Sequence, residues 1–156
     1  MPDGFAELAA NRHLITGIVG LVLAQILKIP YDLWRTKTFS LTMLTSTGGM
    51  PSSHSAFVVA LMLSIGFYEG FGTPIFAVSA ALAMVVMHDA AGVRRAAGLH
   101  AEAINFLYAK LQKHGIQPNH KLKEMLGHQP LEVLGGAILG IIVSVAAIHF
   151  FPFAGV

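Results

Sequence analysis

The sequence predicts an all-α fold, an integral membrane bundle of about four transmembrane helices with a re-entrant or loop segment and an amphipathic surface helix. The chain has 156 residues, of which 54% are hydrophobic and 12% charged, about half the charged fraction of a soluble domain. The mean hydropathy is +0.66. Four apolar stretches also approach the roughly 17–25 residues that a membrane-spanning helix needs.

The same composition excludes several classes of function. A formal net charge of +2 supplies too few cations to track a phosphate backbone, so we expect no nucleic-acid partner. The chain has no cysteine, which removes disulfides, thiolate zinc sites and cysteine nucleophiles. The low charge argues against a soluble enzyme and a disordered chain. The N-terminus does not have the layout of a signal peptide, because Asp3 and Glu7 stand where a signal peptide would carry positive charge.

The predicted spans follow from the apolar runs in chain order. Lys28 and Pro30 interrupt the first run near its end, and the second is short for a span. The third is rich in alanine, and the fourth opens on Pro130, a residue suited to a first helical turn. These runs cover residues 12–34, 55–69, 74–91 and 130–151.

Small residues in the third and fourth spans predict close helix contacts. Gly135, Gly136 and Gly140 form such a set in the fourth span, and residues 77–83 form an alanine-rich one in the third. Both sets suggest self-association as a homo-oligomer, because four short spans enclose little volume.

The polar segments between the spans carry two further predictions. Leu99, Leu107 and Leu111 recur at helical spacing within residues 92–127, which predicts an amphipathic helix on the membrane surface or packed on the bundle. Residues 41–49 read as a loop or re-entrant segment before Pro51.

The cations indicate the orientation. Four spans place segments 35–53 and 92–128 on one side of the membrane. That side holds eight of the ten lysines and arginines, the opposite side holds only Arg12, and Lys28 lies within a span. The positive-inside rule makes the cation-rich side cytoplasmic. The eight are Arg35, Lys37, Arg94, Arg95, Lys110, Lys113, Lys121 and Lys123.

A turn on this side has the features of an anion site. Gly48, Gly49 and Pro51 make a sharp turn into an apolar helix, whose first backbone N–H groups can bind an anion. Ser52 and Ser53 add hydroxyls, and His54 can transfer a proton. Equally, one of these serines can simply cap the helix.

A histidine and a carboxylate stand together at the start of the fourth span. His128 and Glu132 are four residues apart, so one helix face can hold both. A carboxylate bonded to one imidazole nitrogen makes the other nitrogen more nucleophilic. The alternative is a structural histidine at a helix start.

The end of the third span carries the last cluster. Arg94 and Arg95 can bind a phosphate through their forked donors, or they can simply mark the cytoplasmic headgroup layer. His88 and Asp89 would hold a metal only with a third ligand, which the sequence does not supply, so we expect no metal site.

Three motifs in this order resemble the divergent PAP2 family of the type 2 phosphatidic acid phosphatase superfamily, which includes vanadium haloperoxidases. The likeness runs from about residue 25 to 140 and implies a single membrane-embedded PAP2-like domain over residues 1–156. The motifs are TSTGGMPSSHSA at 45–56, DAAGVRR at 89–95 and LKEMLGHQPLEVLGG at 122–136.

The resemblance implies a phosphoenzyme mechanism without metal or cofactor. His128 matches the histidine that attacks phosphorus, Glu132 stands in the place of its orienting carboxylate, and His54 matches the acid that protonates the leaving group. The matching phosphate-binding positions are Ser52, the backbone at Ser53, and Lys28 and Arg35 at the family's spacing of seven residues.

The chain departs from the superfamily pattern at several points. Ser53 replaces a glycine and Glu132 an aspartate, and no proline follows Arg35. The arginine expected before the nucleophile is absent; Lys123 is nearest, and Arg94 or Arg95 can substitute. Typical members have six spans, whereas this chain has room for about four.

We therefore expect a lipid phosphatase of the bacterial plasma membrane with its active site facing the cytoplasm. Its partners would be membrane lipids and a phosphorylated lipid substrate. Phosphatidylglycerol phosphate is the first candidate, followed by phosphatidic acid and an isoprenyl pyrophosphate. The rival interpretation is a non-catalytic membrane protein that binds a lipid headgroup or a partner. A vanadate-dependent oxidase is disfavoured, because nothing in the sequence indicates a soluble redox enzyme.

Overall fold

The computed structural model describes residues 4–37, 48–112, 122 and 127–150. Those residues form helices without strands, which confirms the predicted all-α fold. The predicted loop or re-entrant segment lies mostly outside the described residues, as does Lys123. The helices are α1 Gly4–Ala9, α2 Arg12–Thr36, α3 Ser53–Glu69, α4 Pro74–Ala91, α5 Val93–Gln112 and α6 Pro130–Phe150.

Helices α2, α3 and α4 each begin at a residue whose side chain caps the helix. Asn11 accepts hydrogen bonds from the His13 and Leu14 amides at the start of α2. Ser52 caps α3, and Thr73 caps α4 directly before Pro74. Such caps satisfy backbone N–H groups that have no partner within the helix.

Helix α3 lies at the centre of the bundle and packs on α2, α4 and α6. It runs antiparallel to α2, since His13 near the start of α2 lies 3.0 Å from the Ser64 hydroxyl near the end of α3. It runs parallel to α6, since the Tyr68 hydroxyl donates to the Ala147 carbonyl at the far end. The helix that carries the predicted anion turn is therefore held on several sides.

Small residues bring the backbones of α3 and α6 together. A Cβ atom at Gly136 would overlap the Ser52 carbonyl, and one at Gly140 would lie 2.8 Å from the Ala56 carbonyl. The predicted contact role of these glycines is confirmed, and the neighbour is α3 of the same chain. This glycine face is thus occupied within the chain.

Three described stretches are long and apolar enough to cross a membrane: Arg12–Thr36, Pro74–Gln112 (α4 together with α5), and Pro130–Phe150. Helix α3 is apolar but has only 17 residues, a length of about 25 Å at 1.5 Å per residue. It nevertheless extends between the same two ends of the bundle as α6. The number of four spans stays a prediction.

Helix α5 carries the predicted amphipathic pattern. The chain breaks helical geometry at Gly92 and continues as α5. Leu99 and Leu107 on its apolar stripe are 55% and 56% exposed, whereas Gly98 and Ala101 are buried. The stripe therefore points away from the bundle, and the placement of α5 on a membrane surface stays a prediction.

The α3–α6 contact gives a stability prediction with a matched control. We expect Gly136→Ala to lower the free energy of unfolding by about 2–3 kcal/mol, because the new methyl group displaces a helix backbone. Gly135→Ala should cost far less, because its methyl group meets the flexible end of Met50. Unfolding in detergent micelles measures both variants, and equal stabilities would contradict the packing described here.

Candidate active site

The buried histidine–carboxylate pair lies where the chain enters α6. His128 Nδ1 lies 3.0 Å from Glu132 Oε2, and the Gln129 amide donates to the same oxygen at 3.2 Å. The His128 side chain is 1% exposed and that of Glu132 is 12% exposed. A bond between Nδ1–H and the carboxylate leaves the lone pair of the neutral ring on Nε2. Nε2 is therefore the ring nitrogen that is able to accept a proton or attack an electrophile.

A second histidine lies beside the first. The rings of His54 and His128 are 6.0 Å apart, centroid to centroid, at an interplanar angle of 65°. His128 Nε2 and His54 Nδ1 are buried and have no hydrogen-bond partner among the described residues. Buried polar atoms normally have a partner. These two nitrogens therefore mark a place for a polar ligand.

The turn before α3 is joined to this pair through the main chain. The Ser52 amide donates to the Glu132 carbonyl at 2.9 Å. The Ser52 hydroxyl accepts from the amide and the hydroxyl of Ser55, so the interpretation of Ser52 as a helix cap is confirmed. Its own O–H remains able to donate to an anion.

The two sequence departures do not disturb this geometry. Ser53 opens α3 in helical conformation, and among the described residues only Lys37 has a positive φ without being glycine. Ser53 therefore needs none of the freedom of glycine. Glu132, one methylene longer than aspartate, reaches His128 at hydrogen-bond distance.

Lys28 extends from α2 into the same cluster. It is 1% exposed, and its side chain lies against Gly49 of the turn. Lys28 lies within electrostatic range of Glu132 and His54. A buried ammonium group needs an opposite charge to offset its loss of hydration, and Glu132 is a carboxylate within electrostatic range of Lys28.

The junction of α4 and α5 packs against the residues that lead into α6. The His128 amide donates to the Ala90 carbonyl at 2.9 Å. Gly127 has a φ of +86°, and a Cβ there would overlap the backbone of Arg94 and Arg95, so only glycine fits this contact. This contact holds the backbone of Arg94 next to the entry into α6.

Most of the predicted site residues lie together, and some do not. His54, His128, Glu132, Ser52, Ser53, Lys28 and Arg94 lie at the same end of the bundle. Arg35, in the last turn of α2, and Arg95 are exposed, and no contact with this cluster is described for their side chains. Lys123 lies outside the described residues.

Asp89 and Gln25 occupy positions near the site that the sequence patterns did not predict. Asp89 is paired with Arg94, whose Nε lies 2.6 Å from Asp89 Oδ2. Gln25 Oε1 is buried without a partner among the described residues. An amide in an apolar span, three residues before Lys28, was the signal available for Gln25. Within the described ranges, no group of three or more histidines and carboxylates is placed to hold a metal.

Fold and site together define an all-helical membrane protein with a histidine–carboxylate centre at one end of its bundle. Residues 9–143 match the divergent PAP2 family, and the chain belongs to it. The chain is 38% identical over 156 residues to the uncharacterized membrane protein YuiD of Bacillus subtilis (strain 168), covering 93% of this chain and 99% of that protein. No solved structure matches the chain.

Proposed function

We propose that this protein is a membrane phosphatase that hydrolyses a lipid phosphomonoester through a phosphohistidine intermediate. One observation carries the proposal. The Glu132 carboxylate binds Nδ1 of His128, while the buried Nε2 has no hydrogen-bond partner in the described part of the chain and lies beside the ring of a second histidine. This arrangement suits a nucleophile, its orienting group and a proton donor.

In the first step, His128 Nε2 forms a bond to phosphorus while the bond to the leaving lipid oxygen breaks. His54 gives its proton to that oxygen, so a neutral lipid alcohol departs. Glu132 stabilises the positive charge that develops on the His128 ring. In the second step, neutral His54 takes a proton from water as its oxygen attacks phosphorus, and the P–N bond breaks to release phosphate.

The cations support the same reaction. A pentavalent phosphorus centre concentrates negative charge on its equatorial oxygens, and fixed donors around them lower the barrier. Lys28 on α2 and Arg94 on α5 are the cations within electrostatic range of His54. The first backbone N–H groups of α3 and the Ser52 hydroxyl add donors at the turn.

The substrate class follows from the proposed orientation. A site at the cytoplasmic face meets lipid intermediates made in the inner leaflet, and phosphatidylglycerol phosphate is the first candidate. Phosphatidic acid comes next. An isoprenyl pyrophosphate fits less well if it is recycled on the outer leaflet.

The direct test is phosphate release by the purified protein in detergent from these three lipid classes. We expect release from at least one lipid monophosphate and inhibition by vanadate, which mimics the pentavalent centre. Saturable binding of a lipid phosphate without release would instead support the headgroup-binding rival. The Ser53 and Glu132 departures that motivated this rival leave the site geometry intact, so we favour catalysis.

The orientation is tested separately by cysteine labelling, since the chain has no native cysteine. We expect Gly72→Cys, in the exposed turn before α4, to react with a membrane-impermeant maleimide in intact cells. Glu102→Cys, on the exposed face of α5, should react only after permeabilisation. Labelling of the α5 position in intact cells would place the site outside the cytoplasm.

A further inference from the structure

An ion pair joins the end of α4 to the start of α5. Arg94 Nε lies 2.6 Å from Asp89 Oδ2. The side chains are 51% and 37% exposed, whereas His128 and Lys28 are almost wholly buried. The pair therefore lies at the open side of the cluster.

The bonded atom decides what the pair can do. A guanidinium group has five N–H donors in a rigid plane, and Nε carries only one of them. With Nε–H given to Asp89, the four donors on the two terminal nitrogens remain for another acceptor. Their planar fork matches two oxygens of a phosphoryl group. Among the residues that the structure describes, Arg94 has no hydrogen-bond or ion-pair partner besides Asp89.

The fold places the ion pair next to the site. Gly127, the residue before His128, packs on the backbone of Arg94 and Arg95. The junction itself is fixed, because the His128 amide bonds to the Ala90 carbonyl one residue after Asp89. The carboxylate thus stands on a rigid helix end, while the longer arginine is the part that needs orienting.

We propose that Asp89 is a positioning residue that holds the Arg94 guanidinium by Nε, so that its terminal nitrogens bind two oxygens of the phosphoryl group. The inference rests on the proposed function for its ligand, and inorganic phosphate carries the same chemistry. Asp89 does not touch the substrate. It reduces the number of orientations that Arg94 samples before the phosphate arrives.

The structural alternative is that the pair only fastens α5 to α4 across Gly92. In that case removal of the carboxylate lowers stability but leaves phosphate affinity unchanged. The two roles are separated by measuring phosphate and orthovanadate affinity, together with thermal stability, on the whole protein in detergent.

We expect Asp89→Asn to weaken orthovanadate and phosphate binding about tenfold, because the loss of an ordered, charge-assisted hydrogen bond lowers the binding free energy by roughly that factor. Arg94→Lys keeps the charge but loses the fork, and should weaken binding by a similar factor. Asp89→Asn should add nothing to Arg94→Ala in the double variant. Glu102→Gln, an equal charge change on exposed α5, should bind as the unaltered protein does.

Unchanged affinity in Asp89→Asn, or losses that simply add in the double variant, would overturn the inference. If Asp89→Asn does not fold, Arg94→Lys and Asp89→Glu give the same test, and Asp89→Glu should recover part of the affinity. Turnover is not needed for this measurement. Anion binding with the expected coupling but without lipid hydrolysis would reject the proposed function and keep the role of Asp89.

Discussion

Replacement of His128 by alanine is expected to abolish phosphate release, with a loss of at least about 1,000-fold in kcat, because a covalent nucleophile has no substitute. The same variant should form no acid-labile phosphoprotein when labelled substrate is quenched in the steady state. His128→Gln is the more informative variant, since it fills similar space and can still donate to Glu132.

The matched control is His100→Ala, which removes an exposed histidine from α5 and should keep full activity. Thermal stability of His128→Gln should stay near that of the unaltered protein, so that a loss of activity reflects chemistry. Phosphate release by a folded His128→Gln variant would show that this ring is not the nucleophile.

The second large effect is the loss of activity expected when His54 is replaced, and its size depends on the leaving group of the substrate. His54→Gln should lower kcat/KM by about 100- to 10,000-fold on a lipid phosphomonoester, the usual contribution of a general acid. The loss should be much smaller on a nitrophenyl phosphate, because nitrophenolate leaves without a proton. Steady-state rates on both substrates provide the comparison.

Equal losses on both substrates would contradict the role of His54 as the acid and indicate that it only binds or orients the phosphoryl group. The comparison carries its own control. A general defect in folding or phosphate binding lowers both rates by the same factor, whereas loss of the acid separates them.

The residues that sequence reasoning placed correctly are those whose contacts are local. His128 and Glu132 are four residues apart at a helix start, so their pairing follows from helical geometry. The cap at Ser52 follows from the same local rules. The contact glycines of α6 are the exception, because small residues at helical spacing in a membrane span predict a close contact without identifying the partner helix.

What the sequence did not reveal depends on contacts between distant parts of the chain. Nothing local distinguishes Arg94 from Arg95; the distinction comes from Asp89 and from the way Gly127 packs on their backbone. The central position of α3, the shortest of the four apolar helices, is likewise set by its neighbours. The burial of Gln25 Oε1 without a partner among the described residues could not be predicted from the sequence, because it depends on how the helices pack.

Two hydrogen bonds that frame the site come entirely from the main chain: Ser52 N–H to the Glu132 carbonyl, and His128 N–H to the Ala90 carbonyl. Side-chain substitution cannot delete a main-chain donor, with proline as the exception. The framework can therefore persist while its side chains diverge during evolution. Relatives with different residues around this centre can therefore retain one scaffold.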